Sequence, residues 1–502
     1  MTFDVINPLV KRGHLRNIAR LMTEGAAIPL LSTTPSITPV AWASFITGKT
    51  PGGHGIYDWG IKTADYRLSL VNASYLRDQS IWTILHRAGK RIGVIGLPMS
   101  YPPYPYPSFI VGGPLSPSVE SRFTYPETLY SEIKAHVGEY IIDFDKKRQL
   151  KAGKEAFVDA MCRMVRSRGE TTLYLMRRYP WDVLTVVFVA TDRLQHCLWP
   201  YLHFEGQLTP LQHQIVAFYD LVDEYIGKII AAAPDPKTVI VMSDHGFGPG
   251  KRMVSLNGWL MQSGYLRRSR AKGTKSLRQR SKAWANRLGL TRKRLKRWLS
   301  YLGLLERLGR RLDQLSTYNL AFDWDHSVAF AGGPGIYLNL RGRERNGVVS
   351  PGQEYEHLRT EIIERLAQLR DPQSGELVFK AVYRREEFYQ GERVSMAPDI
   401  VPIPNDGYTV VPQFYEEGSR SIREHIFDEP REWNQGMHQP EGILIAWGEQ
   451  IEQGAQPETA PHIWDVAPTL LGLVGVPIPT DMTGQPLRHL VKPRYRESFS
   501  FT

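Results

Sequence analysis

Thr238-Val239-Ile240-Val241-Met242-Ser243-Asp244-His245-Gly246-Phe247-Gly248 is an apolar run that ends in an acid, an imidazole and a glycine-rich turn. An unbroken run of this length, rich in β-branched residues, reads as a strand buried on both faces, because a strand with one wet face alternates. Open α/β sheets bind ligands outside the carboxyl ends of their strands, and Asp244 and His245 fall at that end. The flanking glycines let the backbone take the unusual dihedrals that would bring both side chains to one ion.

The same pattern recurs upstream. The apolar run Val183 to Ala190 is followed by Thr191-Asp192-Arg193-Leu194-Gln195-His196, which puts a second acid and imidazole at the end of a predicted strand. If the following segment is helical, His196 faces the same way as Asp192, four positions before it. Further runs at Arg91 to Leu97, Phe109 to Gly112 and Gly442 to Trp447 read as strands. Helical patterns cover most of Tyr125 to Arg178 and Trp464 to Val474. Residues 8–25 read as a short helix leading into a loop rich in Ser, Thr and Pro, after which Pro39 opens a helix that stops at Gly48. The predicted fold class is α/β, a mainly parallel sheet flanked by helices, with an inserted α+β cap. The expected boundaries are 1–257 for the first part of the core, 258–400 for the cap and 401–502 for the closing part.

With 502 residues the chain is long enough for a large α/β core and a smaller unit. Two cysteines, Cys162 and Cys197, are too few for a disulfide framework, and no apolar run is long enough to span a bilayer. The first thirty residues also lack the charged-then-apolar order of a signal peptide. These features favour the cytoplasm. The net charge of +11 is concentrated: residues 267–311 hold 17 Lys or Arg against the single acid Glu306, a local +16 that leaves −5 for the rest. Leu288, Leu295, Trp298 and Leu302 keep roughly helical spacing there, so the segment reads either as an amphipathic helix on an anionic membrane surface or as a solvated cap helix. A third use is to draw anionic substrate toward a cleft. Nucleic acid is disfavoured, since no aromatic stacking pattern accompanies the charge.

Two more places complete a chemical set. Thr38 stands at the start of the proline-initiated helix, where unsatisfied N–H groups and partial positive charge favour an alkoxide and attract phosphate. Taken alone, a Thr before Pro is more often a simple cap. Gly436-Met437-His438 supplies a third imidazole, which carries meaning only as part of the set. Together Asp192, His196, Asp244, His245 and His438 with the Thr38 hydroxyl are about what two adjacent divalent metal ions and a nucleophile require for in-line phosphoryl displacement.

In order, Thr38-Pro39, Thr47-Gly48-Lys49-Thr50-Pro51-Gly52-Gly53-His54-Gly55, Asp192 to His196, Asp244-His245 and Gly436-Met437-His438 resemble the type I phosphodiesterase/nucleotide pyrophosphatase family of the alkaline phosphatase superfamily. The resemblance implies an alkaline-phosphatase-like fold with two divalent metal ions, zinc or manganese. Asp192, His196 and His438 would hold one ion, Asp244 and His245 the other, and His54 would shape a turn. Thr38 would attack a phosphate-ester small molecule, most naturally a phosphodiester, through a phospho-threonine intermediate.

Two departures accompany it. Family members begin with an apolar strand ending in Asp-Gly, whose Asp completes the second metal site, whereas this sequence reads Met1-Thr2-Phe3-Asp4, with no strand ahead of Asp4. The expectation is that the natural start lies upstream. The family's nucleotide pyrophosphatases also carry an Asn three residues after the nucleophile, where Ala41 stands here, so a nucleotide preference does not carry over. The competing readings are a phosphomonoesterase and a catalytically impaired scaffold of this fold, docked to membrane or a partner through 267–311.

Overall fold

The computed structural model describes residues 1–105, 107–269, 322–415 and 422–502, so the expectations for the basic stretch beyond residue 269 lie outside the described residues. Helices α1 (Phe3–Lys11) and α2 (Arg16–Glu24) lead into β1 (Ala26–Leu31) and α3 (Thr38–Thr47). Strands β2 (Ile92–Ile95), β3 (Phe109–Val111) and β4 (Thr124–Tyr125) precede the long α4 (Lys154–Arg178). Then come β5 (Val183–Val186), α5 (Ala190–Leu198), α6 (Pro210–Ala232), β6 (Thr238–Met242) and β7 (Gly246–Pro249). Toward the carboxyl end lie β8 (Gly436–Gln439), β9 (Glu441–Gly448) and α7 (Val466–Leu473).

The core strands pair in two orders, β4-β3-β2-β5 and β1-β9-β6. β2 runs parallel to β3 and β5, while β9 is antiparallel to both β1 and β6 and β4 is antiparallel to β3. β5 and β6 lead to side chains that meet, with His245 Nε2 3.8 Å from Asp192 Oδ1, so their directions agree. Only β4 and β9 therefore oppose the common direction of these strands. Side chains alternate between two cores: Ile240 and Met242 pack with Val40, Phe45 and Leu471, whereas Val239 and Val241 pack with Ile6, Leu21 and Phe218. Ile92, Val94 and Val183 from the other order join the first of these cores, which makes the two sets of strands one layer between helices. A third core unites Val254, Trp259, Ile336, Ile362, Phe379 and Ile400, around the strands Ala329–Gly332, Gly335–Leu338, Ile400–Pro404 and Phe379–Arg384. Among the described residues no helix is long and apolar enough to cross a membrane.

Three local expectations are revised. The helix read over 8–25 is two helices broken at Leu15, which has φ of 51°. Asp223 of α6 accepts from the backbone N–H groups of Asn17 at 3.0 Å and Ile18 at 2.8 Å, so the start of α2 is capped from a distant helix. The stretch read as loop contains β1, despite Pro29; β1 is an edge strand, where the missing N–H breaks no ladder. The strand read over Val183 to Ala190 stops at Val186, and Ala190 already opens α5.

His54 lies in the glycine-rich turn after α3 and is buried. Its Nδ1 accepts the N–H of Ile56 at 3.0 Å, so Nε2 carries the proton and donates to Ser44 Oγ at 3.0 Å. Burial, with Arg393 and Lys49 nearby, lowers its pKa to about 3. The unfolded chain takes up this proton near pH 6.5 and the folded chain does not, so this contribution to stability is lost as pH falls from about 6.5 toward 3. Between pH 7 and 5, His54→Gln is expected to lose about 2 kcal/mol less stability than the parent chain in urea unfolding, although it starts lower. Equal losses in the two chains would show that His54 titrates normally.

Candidate metal centre

The site grows out of strand ends and the turns that follow them. Asp192 sits in the first turn of α5 and His196 one turn later, as the helical reading required; Asp192 is thus helical and does not itself end the strand. Asp244 and His245 form the link between β6 and β7, and His438 lies in β8 directly opposite Phe247 in β7. Folding gathers these residues tightly. The Nε2 atoms of His438, His196 and His245 lie 3.4, 3.6 and 3.8 Å from Asp192 Oδ1, and Asp244 Oδ2 is 3.4 Å from His245 Nε2. Asp192, His196 and His438 each offer a ligand atom, all within 4.8 Å of one another. Thr38 lines the same cavity as Asp192, Asp244 and His245.

Each imidazole is aimed by a backbone carbonyl. The Nδ1 atoms of His196, His438 and His245 lie 2.9, 2.8 and 3.1 Å from the oxygens of Gly436, Ser36 and Gly246. A carbonyl can only accept, so every Nδ1 is an N–H donor and, in the neutral ring, every Nε2 presents a lone pair to the site. Burial lowers the pKa of His196 to about 3 and that of His245 well below its usual value, against the pull of Asp192 in both cases. Both rings are therefore neutral at physiological pH, the form that binds metal. Phe247 supports the arrangement, standing edge-on to the rings of His196 and His438 at centroid distances of 5.0 and 5.1 Å.

These residues fit a cation. His196 Nε2 and His438 Nε2 are 2.9 Å apart, and two lone pairs at that distance repel unless a positive centre is shared between them. Asp192 Oδ1 and His245 Nε2 are buried without a hydrogen bond, and groups in that condition carry a desolvation cost that a ligated ion would remove. Burial opposes ionisation of Asp192, but His196, Arg193 and His438 hold its carboxyl well below the usual range. Asp244 is pushed up to about 6 by burial and by Asp192. Mixed carboxylate and imidazole donors suit zinc or manganese.

Sequence reasoning gave no role to Arg193, although it lies inside the quoted motif. Its Nη1 donates to Asp192 Oδ2 at 2.5 Å, while Nε and Nη2 grip Asp143 at 3.1 and 2.6 Å. Arg193 thus occupies one carboxylate oxygen of Asp192 and leaves the other for the imidazole cluster. Arg193→Met is expected to weaken zinc binding about 10–100-fold in a competition titration, and Arg193→Lys to restore little, because a single ammonium cannot hold both acids. Unchanged affinity in Arg193→Met would assign the residue to folding alone. The helix start offers less than its sequence promised: Pro39 has no N–H, and those of Val40 and Ala41 bond back to Ile37 O at 3.1 and 3.0 Å. The N–H of Thr38 is the donor that remains at that end.

The profile of the family described as Type I phosphodiesterase / nucleotide pyrophosphatase matches residues 1–440. No curated protein sequence matches the chain. Phosphonoacetate hydrolase from Sinorhizobium meliloti 1021, solved with phosphonoformate, is similar in structure at 15% identity, over 93% of this chain and 92% of its own, with a TM-score of 0.50. Murine ectonucleotide pyrophosphatase/phosphodiesterase 5 is similar at 12% identity over 98% of this chain and 97% of its own, also with a TM-score of 0.50. An inactive threonine-to-alanine variant of that murine protein, in complex with AMP, gives the same identity, coverage and score. The likeness is one of fold, which is alkaline-phosphatase-like.

Proposed function

Since the chain belongs to the type I phosphodiesterase/nucleotide pyrophosphatase family and is a phosphoric ester hydrolase, we propose that it is a metal-dependent phosphodiesterase with Thr38 as nucleophile. The observation that carries this reading is the convergence of three backbone-anchored imidazoles on Asp192 Oδ1, with Thr38 lining the same cavity. Asp192, His196 and His438 would hold one divalent ion, and Asp244 and His245 would hold the other. Such ions supply Lewis-acid charge at the attacking and departing oxygens of a phosphoryl transfer. Thr38 Oγ forms a bond to phosphorus as the ester alcohol leaves, giving a phospho-threonine; water then cleaves that bond, releasing a phosphomonoester and restoring the hydroxyl. The positive end of α3 favours the anionic form of Thr38. The inactivity of the murine threonine-to-alanine variant is in keeping with a threonine nucleophile.

The substrate is read as a small phosphodiester. AMP and phosphonoformate, bound by the solved relatives, are consistent with a site for small phosphate-like ligands. Ala41 has no donor to offer and is fully buried, so nothing at that position favours a nucleotide. Bis(para-nitrophenyl) phosphate and para-nitrophenyl phosphate separate the alternatives, assayed after chelation and after reloading with zinc or manganese. The reading expects kcat/KM for the diester to exceed that for the monoester by about 10-fold or more, and to vanish with the metal. The reverse preference would make the protein a phosphomonoesterase, and metal-independent or absent turnover of both esters would remove the reading.

A further inference from the structure

Arg168 lies within α4 and is 1% exposed, yet among the described residues no carboxylate pairs with it. A guanidinium taken out of water without an acid is costly, and an apolar side chain would fill the same volume without that cost. What the charged group supplies is a rigid fork of N–H donors that can grip several acceptors at once. Nη1 donates to Val187 O at 3.1 Å, and Nη2 donates to Ile142 O at 3.3 Å and to Ile141 O at 3.5 Å. The fork rests on Gly96, the residue after β2, where a methyl group would lie 1.0 Å from Nη1. The Tyr140 ring covers it, with its centroid 4.9 Å from Cζ.

The carbonyls that Arg168 holds stand just ahead of groups in the metal centre. Val187 follows β5 and begins the link into α5, which carries Asp192 and His196. Ile142 precedes Asp143, whose carboxylate accepts from Arg193 Nε and Nη2 at 3.1 and 2.6 Å, while Arg193 Nη1 holds Asp192 Oδ2 at 2.5 Å. Ser167, beside Arg168 in α4, holds the same segment: its Oγ accepts from the N–H of Ile141 at 3.0 Å and donates to Glu139 O at 3.3 Å. The contacts thus close a circuit that runs from Arg168 through Val187, α5, Asp192, Arg193, Asp143 and Ile142 back to Arg168. We propose that Arg168 is a positioning residue for the metal centre: by fixing Ile142 against Val187 it sets where Asp143 meets Arg193, and thereby how Asp192 presents its free oxygen to the ion. The inference rests on the metal-dependent reading above. A metal ligand has to be held within about 0.5 Å of its productive place, and groups that orient ligands from outside affect affinity although they never touch the ion.

The test is zinc affinity by competition titration in the parent chain, Arg168→Met, Arg193→Met and the double variant, with urea unfolding beside it. Arg168→Met is expected to weaken zinc binding about 10-fold, and the double variant to bind no more weakly than Arg193→Met alone, because both changes break one link. A residue that served folding alone would lower stability and leave the affinity of the folded chain unchanged, and that result would overturn the proposal. Losses that add would overturn it too, since Arg168 and Arg193 have no hydrogen-bond partner in common and independent sites add. If Arg168→Met does not fold, Arg168→Lys in the same two backgrounds carries the comparison. A single ammonium cannot span carbonyls on two segments, so binding should again weaken, and only where Arg193 is present. A parent chain that binds no zinc would remove the metal-dependent reading and this inference with it, whereas bound zinc that is indifferent to Arg168 would remove this inference alone.

Discussion

Thr38→Ala is expected to lower phosphodiester turnover at least about 10³-fold while leaving metal content and fold intact. The fold should survive because Thr38 begins α3 but does not cap it; Ile37 holds the cap position and makes no side-chain bond there. Ala is the better helix former, so the change in stability should stay within about 0.5 kcal/mol. The five proposed acid and imidazole ligands are untouched, and metal content by elemental analysis should match the parent chain. Thr38→Ser keeps an attacking oxygen and should recover part of the rate. If Thr38→Ala retained turnover within about 10-fold of the parent, water would be the attacking group and the covalent step would be wrong.

Asp192→Asn should empty the first metal position. Asp192 Oδ1 is the point on which three Nε2 atoms converge, and Oδ2 is already taken by Arg193. The amide keeps the shape and loses the charge, so His196 and His438 would face a cation without the carboxylate charge that balances it. Stoichiometric metal should fall by one ion per chain after dialysis against a weak chelator, with turnover down by about 10³-fold or more. Full metal content in Asp192→Asn would show that the imidazoles alone define the position.

Much of this site could be read from the amino-acid order because its parts sit where apolar patterns end. Thr238–Met242 is a strand over the expected residues, since a β-branched run closed by Ser-Asp-His-Gly has few other uses. Thr38 and Gly48 bound α3 as read, with Gly48 at φ 64°. What escaped was set by distant chain. The break between α1 and α2 depends on Asp223, some two hundred residues away, and β1 depends on β9, which pairs Pro29 with Ile443. No local pattern could announce either. The aim of the imidazoles was equally hidden, because the groups that orient them are main-chain oxygens, of which every residue has one. Arg193 was visible in the motif, but its worth lies in Asp143, fifty residues earlier.

Main-chain anchoring also determines how the site can be damaged. A side-chain partner can be deleted by one base change; the carbonyls of Ser36, Gly246 and Gly436 survive any substitution of those residues, so long as the backbone keeps its course. Vulnerability is thereby moved from chemistry to shape. At Gly436 a methyl group would sit 2.3 Å from the carbonyl oxygen of Gln195, and at Gly246 one would sit 1.9 Å from that of Glu441. Inherited loss of this centre should therefore arise at two glycines that touch no substrate as readily as at the ligands themselves.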